Sequence, residues 1–153
     1  MARKLLLTIA LCLAAAAAGA LYLTRSEKAL AVSKTEPGPS GTKVVAYYFH
    51  LTARCPTCRT IESYSREVIE ERFAGELTKG RLEYKMVNVQ LPENRHFFKD
   101  YQLFTKSLVL VRFENGKQAE YKVLNDTWQL VGDKQSMQAY VEREVRGYLA
   151  RVS

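Results

Sequence analysis

Three signals are missing from this sequence, and each absence removes a class of function. No run of five or more Lys or Arg occurs, although the formal net charge is +7. The basic residues are interspersed with acids, so no nucleic-acid-binding stripe is expected. No Gly-x-Gly-x-x-Gly is present, so nothing points to a nicotinamide or flavin, and no cofactor is expected. Cysteine is scarce, with three in 153 residues. Cys12 lies in an apolar run, where it reads as an apolar filler. Leu11 before it is not the small residue of a lipoprotein attachment site. Cys55 and Cys58 remain. There is no second Cys pair, and only His50 and His96 are on hand to complete a four-ligand zinc site.

The N-terminus carries a targeting pattern. Arg3 and Lys4 precede an apolar run from Leu5 to Leu23. Ala18-Gly19-Ala20 fits the small-x-small cleavage pattern of a signal peptide, and Ala29-Leu30-Ala31 is a second candidate. The run is also close to the ~20 residues that span a bilayer as a helix. Arg25 and Lys28 follow it, so charge asymmetry does not choose between the two. Residues 1–23 are therefore expected to be a signal peptide or an N-terminal membrane anchor. Either one places the rest on the periplasmic or extracytoplasmic side, and the anchor would add membrane attachment. Residues 24–42 read as a flexible linker, with Pro37, Gly38, Pro39, Ser40 and Gly41. Residues 43–153 form the expected domain, long enough to bury its own core.

Within that domain the apolar period changes several times. Val44 to Phe49 is a short β-branched and aromatic run, the mark of a buried strand. Ile61, Tyr64, Val68, Ile69 and Phe73 recur at helical spacing, and this helix is expected to end near Ala74-Gly75. Leu82, Tyr84 and Met86 alternate with charged residues, as in a strand. Pro92 opens a short polar helix expected to run from Glu93 to about Tyr101. Ser107 to Phe113 and Tyr121 to Val123 read as a hairpin around Asn115-Gly116. A loop holding Trp128 leads to a last amphipathic helix from Met137 to Leu149. The order is β-α-β-α-β-β-α, an α/β fold with a central mixed sheet and helices on both faces. Tyr47, Tyr48, Phe49, Tyr84, Phe97, Phe98 and Tyr140 are expected in the core, and Trp128 as well.

The pair Cys55-Pro56-Thr57-Cys58 falls where the first strand turns into the first helix. Helix N-termini stabilise negative charge and lower cysteine pKa, and the thiolate is the nucleophile. Arg54 and Arg59 flank the pair and are expected to favour the thiolate further. Pro56 restricts the turn and Thr57 completes it. Cys55 is the expected nucleophile and Cys58 the resolving thiol. A purely structural staple is the competing reading. By chain-entropy arguments a loop this short contributes only ~2 kcal/mol, so it is a poor one. A third reading is a copper or zinc site from Cys55, Cys58 and His50.

The order of strand, Cys-x-x-Cys and helix, with the remainder that follows, resembles the thioredoxin-like fold over roughly residues 43–150. The stretches 47–50, 54–58, 88–90, 101–110 and 128–130 are similar to a small exported thioredoxin-like family named after a nitrophenyl-compound nitroreductase subunit. The resemblance implies thiol–disulfide exchange with protein thiols and disulfides, and a membrane or periplasmic redox partner that resets the pair. It also leaves open a metal carrier or a non-catalytic subunit of a larger redox complex. Ser107 stands where thioredoxin-like proteins usually carry a cis-proline, and a trans bond is expected there because a non-proline cis bond costs ~3 kcal/mol or more. Phe49 and Arg54 stand near the places of the usual buried Asp and Trp. Proton transfer at Cys58 then falls to water, His50 or Glu62.

Overall fold

A computed structural model describes residues 41–152. The expected signal or anchor segment, and the linker up to residue 40, lie outside the described residues. Among the described residues no helix is long and apolar enough to cross a membrane.

Strand β1 (Thr42–His50) is one of two inner strands of a four-stranded sheet, flanked by β2 (Leu82–Asn88) and β3 (Ser107–Glu114). Neighbours on both sides and cover on both faces explain its nearly unbroken apolar run. It begins at Thr42, so the last linker residue expected is already strand. The strand order is β2-β1-β3-β4, with β4 at Lys117–Val123. β1 and β2 are parallel, while β3 is antiparallel to both β1 and β4. The long amphipathic helix α1 (Pro56–Arg72) connects the parallel pair. This is the thioredoxin-like arrangement.

Alternate residues of β1 serve two cores. Val44, Ala46 and Tyr48 join Leu108 and Leu110 of β3 beneath α1 and the last helix. Val45, Tyr47 and Phe49 point to the other face, where Phe49 joins Val109, Val111 and Tyr101. That face is covered by a 3-10 turn at Pro92–Asn94 and the single-turn helix α3 (Phe97–Asp100). The last two helices are α4 (Thr127–Leu130) and α5 (Lys134–Leu149).

Four details differ from the sequence reading. α1 stops at Arg72, because Phe73 leaves helical geometry (φ −124°, ψ 21°) to enter the core, and a short α2 (Ala74–Thr78) follows. The polar helix expected over 93–101 is split in two. Gln102 then takes φ 50°, which turns the chain back towards β3. Phe98 points outward and is 36% exposed, so it is not core. β4 begins at Lys117, four residues earlier than expected, because Asn115 (φ 50°) and Gly116 (φ 76°) form a tight two-residue turn. Arg112 pairs with Glu120 but Phe113 pairs with Gln118, so Ala119 is an extra residue in β4, a bulge.

The cysteine pair at the head of the first helix

Cys55 is the N-cap of α1, in extended geometry (φ −74°, ψ 160°), and Pro56 takes the first helical turn, where its missing N–H costs nothing. Cys55 and Cys58 are joined as a disulfide, with S–S 2.00 Å and Cα atoms 5.1 Å apart. The backbone N–H of Cys58 donates to Cys55 Sγ at 3.1 Å, and the N–H of Arg59 donates to the Cys55 carbonyl at 3.1 Å. The first turn of α1 holds no acidic side chain. The positive end of the helix is thus aimed at Cys55 Sγ without a local counter-charge.

The two sulfurs differ in access. Cys58 is 1% exposed, whereas Cys55 is half-buried, and Pro56 and Thr57 lie open beside it. Tyr48, from the core side of β1, donates its hydroxyl to the Cys58 carbonyl at 2.6 Å. Burial pushes the Tyr48 hydroxyl up to about 12, with the Glu62 carboxylate adding to the rise against the pull of Arg54. Tyr48 therefore remains a donor at any ordinary pH and ties strand β1 to the turn that carries Cys58.

Arg54 is more committed than its position in the sequence suggests. One arm of its guanidinium pairs with the Glu62 carboxylate. The other donates to His50 Nε2 at 2.9 Å. The remaining His50 nitrogen, Nδ1, lies 3.1 Å from the Leu51 carbonyl, which fits a neutral ring protonated at Nδ1. Glu62 also accepts from Arg66 at 3.1 Å through its other oxygen. Both Glu62 oxygens and His50 Nε2 are therefore engaged by arginine. Arg59 is exposed, and among the described residues no ion pair forms on it.

Ser107 lies opposite Phe49 in the β1–β3 register. No cis peptide bond occurs among the described residues, so the bond before Ser107 is trans, as expected. The segment leading to it is braced from both sides. Ser107 Oγ donates to the Thr105 carbonyl at 3.0 Å, and the Trp128 indole donates to the Lys106 carbonyl at 3.1 Å. Trp128 sits on α4, in what reads from sequence as a loop. Its position in the chain, 22 residues beyond Lys106, gives no hint of this bond. Phe104, in the same segment, is 99% exposed.

The cysteine–histidine metal reading finds no support in this arrangement. The two sulfurs are bonded to each other and His50 Nε2 faces a guanidinium. Among the described residues no group of three or more His, Cys, Asp or Glu is placed to hold a metal ion.

No family model matches the sequence, and no curated protein matches it. The chain is similar in structure to thioredoxin from Fasciola hepatica, with 15% identity and a TM-score of 0.39 over 66% of this chain and 80% of that one. Thioredoxin from Malassezia sympodialis shares 22% identity at a TM-score of 0.39, covering 65% and 80%. Thioredoxin O2 from Arabidopsis thaliana in the oxidised state shares 17% at 0.37, covering 65% and 76%. The thioredoxin-like fold of this chain rests on its own strand order and connections, with the cysteine pair at the head of α1.

Proposed function

We propose that this protein is an extracytoplasmic thiol–disulfide oxidoreductase or electron relay. The observation that carries the reading is the asymmetry of the pair. A half-buried Cys55 caps a helix N-terminus, and its bonded partner Cys58 is sealed inside the first turn. In the reducing direction the Cys55 thiolate attacks one sulfur of a partner disulfide. That S–S bond breaks, one partner sulfur leaves as a thiolate, and a mixed disulfide forms. The Cys58 thiol loses its proton to solvent and attacks Cys55 Sγ. The second partner thiolate leaves, the Cys55–Cys58 bond forms, and two electrons have passed to the partner. Run backwards, the same steps oxidise a dithiol.

Protein thiols and disulfides are the proposed substrates. A membrane or periplasmic redox partner is proposed to reset the pair. The extracytoplasmic setting is supported by Arg3, Lys4 and the apolar run to Leu23, and the Cys55–Cys58 disulfide is compatible with an oxidising compartment. The resemblance to the family named after a nitroreductase subunit supports work beside a larger redox system.

The test is a titration of the purified full chain against glutathione redox buffers, with metal content measured on the same sample. A reversible two-electron transition between roughly −270 and −120 mV is expected. A pair that stays oxidised below about −300 mV, or stoichiometric bound metal, overturns the reading.

A further inference from the structure

We infer that Glu62 is a positioning residue that sets the redox poise of the cysteine pair through Arg54. The inference rests on the oxidoreductase reading and deepens it.

Arg54 directly precedes the N-cap cysteine, so its side chain leaves the backbone next to Cys55. Left free, it would add to the helix N-terminus in favouring a thiolate, and so the dithiol state. Glu62 follows Cys58 by four residues, on the same face of α1. Its side chain is only 13% exposed, and it takes one arm of Arg54. His50 Nε2 takes the other at 2.9 Å. The fork is thereby held between a carboxylate and an imidazole, with the Arg54 side chain 25% exposed. Its charge is largely spent on Glu62. Arg66, at 3.1 Å from the second oxygen, competes for the same carboxylate from a more exposed position. Among the described residues, the only paired carboxylate that comes near the 13% exposure of Glu62 is Glu144, at 16%, so the field of Glu62 is weakly screened.

The consequence concerns a balanced exchange. Two glutathione thiols give two electrons to the Cys55–Cys58 bond, which breaks, while the glutathione disulfide bond forms. The protons remain on Cys58 and, in part, on Cys55 or solvent. Removing the Glu62 charge releases Arg54 and favours the reduced protein.

The experiment is a glutathione equilibrium on the full chain in detergent, with folding followed by circular dichroism. Glu62→Gln is expected to move the equilibrium constant about tenfold towards the dithiol, a potential about 30 mV higher. In an Arg54→Gln background the same change is expected to move it less than threefold, since its mediator is gone. Arg66→Gln, at a side chain 41% exposed, leaves Glu62 wholly to Arg54 and is expected to shift the constant two- to threefold the other way. That variant carries the test if Glu62→Gln does not fold. A wild-type chain that equilibrates normally while the folded variants show no shift overturns the role of Glu62 and leaves the oxidoreductase reading standing. An undiminished Glu62→Gln effect without Arg54 also overturns it, because the carboxylate would then act on sulfur directly. A wild-type chain that never equilibrates overturns the oxidoreductase reading, and this inference with it.

Discussion

The two faces of the sheet are built by different means. One is covered by two long helices, α1 and α5, and its core is mainly aliphatic: Val44, Ile61, Ile69, Leu108, Leu110, Val141 and Val145. The other is covered by single turns and loop, and it is filled by rings. Phe49 lies 5.3 Å from Tyr47, 5.0 Å from Phe97 and 5.5 Å from Tyr101 between centroids, and Tyr101 meets Tyr121 edge-on at 5.1 Å. A long helix brings many medium side chains to a sheet. A four-residue helix brings one or two, so each must be large. Aromatic pairs add ~0.5–1.5 kcal/mol beyond the area they bury, which offsets the sparse backbone cover.

That contrast makes the ring-filled face the more fragile to a single change. Phe49→Ala is expected to cost ~3–5 kcal/mol, near the total stability of a small domain, because three neighbouring rings lose their common partner. Leu110→Ala on the helix-covered face belongs to a range of ~2–5 kcal/mol, and is expected below the Phe49 value because α1 and α5 close in on the gap. Paired urea midpoints decide it, and a larger loss at Leu110 would reverse the comparison. Tyr48→Phe tests the tie between strand and cysteine turn. It removes one buried hydrogen bond and is expected to cost ~1 kcal/mol, with the aromatic packing kept. The smallest effect concerns α5, the helix that shields the aliphatic face. Its N-cap Asp133 accepts from Ser136 Oγ at 2.7 Å and from Ser136 N–H at 3.1 Å. The Ser136 hydroxyl first, and then the backbone N–H, hold the Asp133 carboxyl below the usual range. A depressed folded pKa stabilises above the unfolded value, roughly 3.9, and that contribution is lost as pH falls through the lower folded value. Asp133→Ala should lower the urea midpoint at pH 7, and the gap to wild type should close as the pH falls through and below the depressed Asp133 pKa.

What was legible in the sequence tracks how local its cause is. β1, α1 and α5 announce themselves through period and length, and the Asn115-Gly116 turn through backbone chemistry alone. The cysteine pair is legible because N-capping and spacing are both local. The break at Phe73 is not, since it answers a packing demand from core residues distant in the chain, and the turn at Gln102, closed by local bonds to the Lys99 and Phe98 carbonyls, carries no glycine to announce it. Phe98 and Phe97 are adjacent and chemically identical, and only the tertiary fold decides which ring meets Phe49. The commitment of Arg54 to Glu62 and His50 is hidden for the same reason. Sequence shows a cation beside a cysteine, and the neutralising acid comes two helical turns later. The Trp128 brace on Lys106 joins two segments whose patterns say nothing of each other.

The bulge at Ala119 has a consequence for how this chain meets copies of itself. Among the described residues β4 has no neighbour on its outer side, and an unpaired strand is a template for another chain. The extra residue breaks the regular spacing of outward N–H and C=O groups in mid-strand. Lys117 and Lys122 are exposed along the same strand, so an incoming strand would have to bury their ammonium groups. Lys122 is also pinned to Glu144 of α5 at 2.7 Å. A flat, apolar border would invite strand-by-strand stacking; this one is irregular and charged, which guards the chain against it.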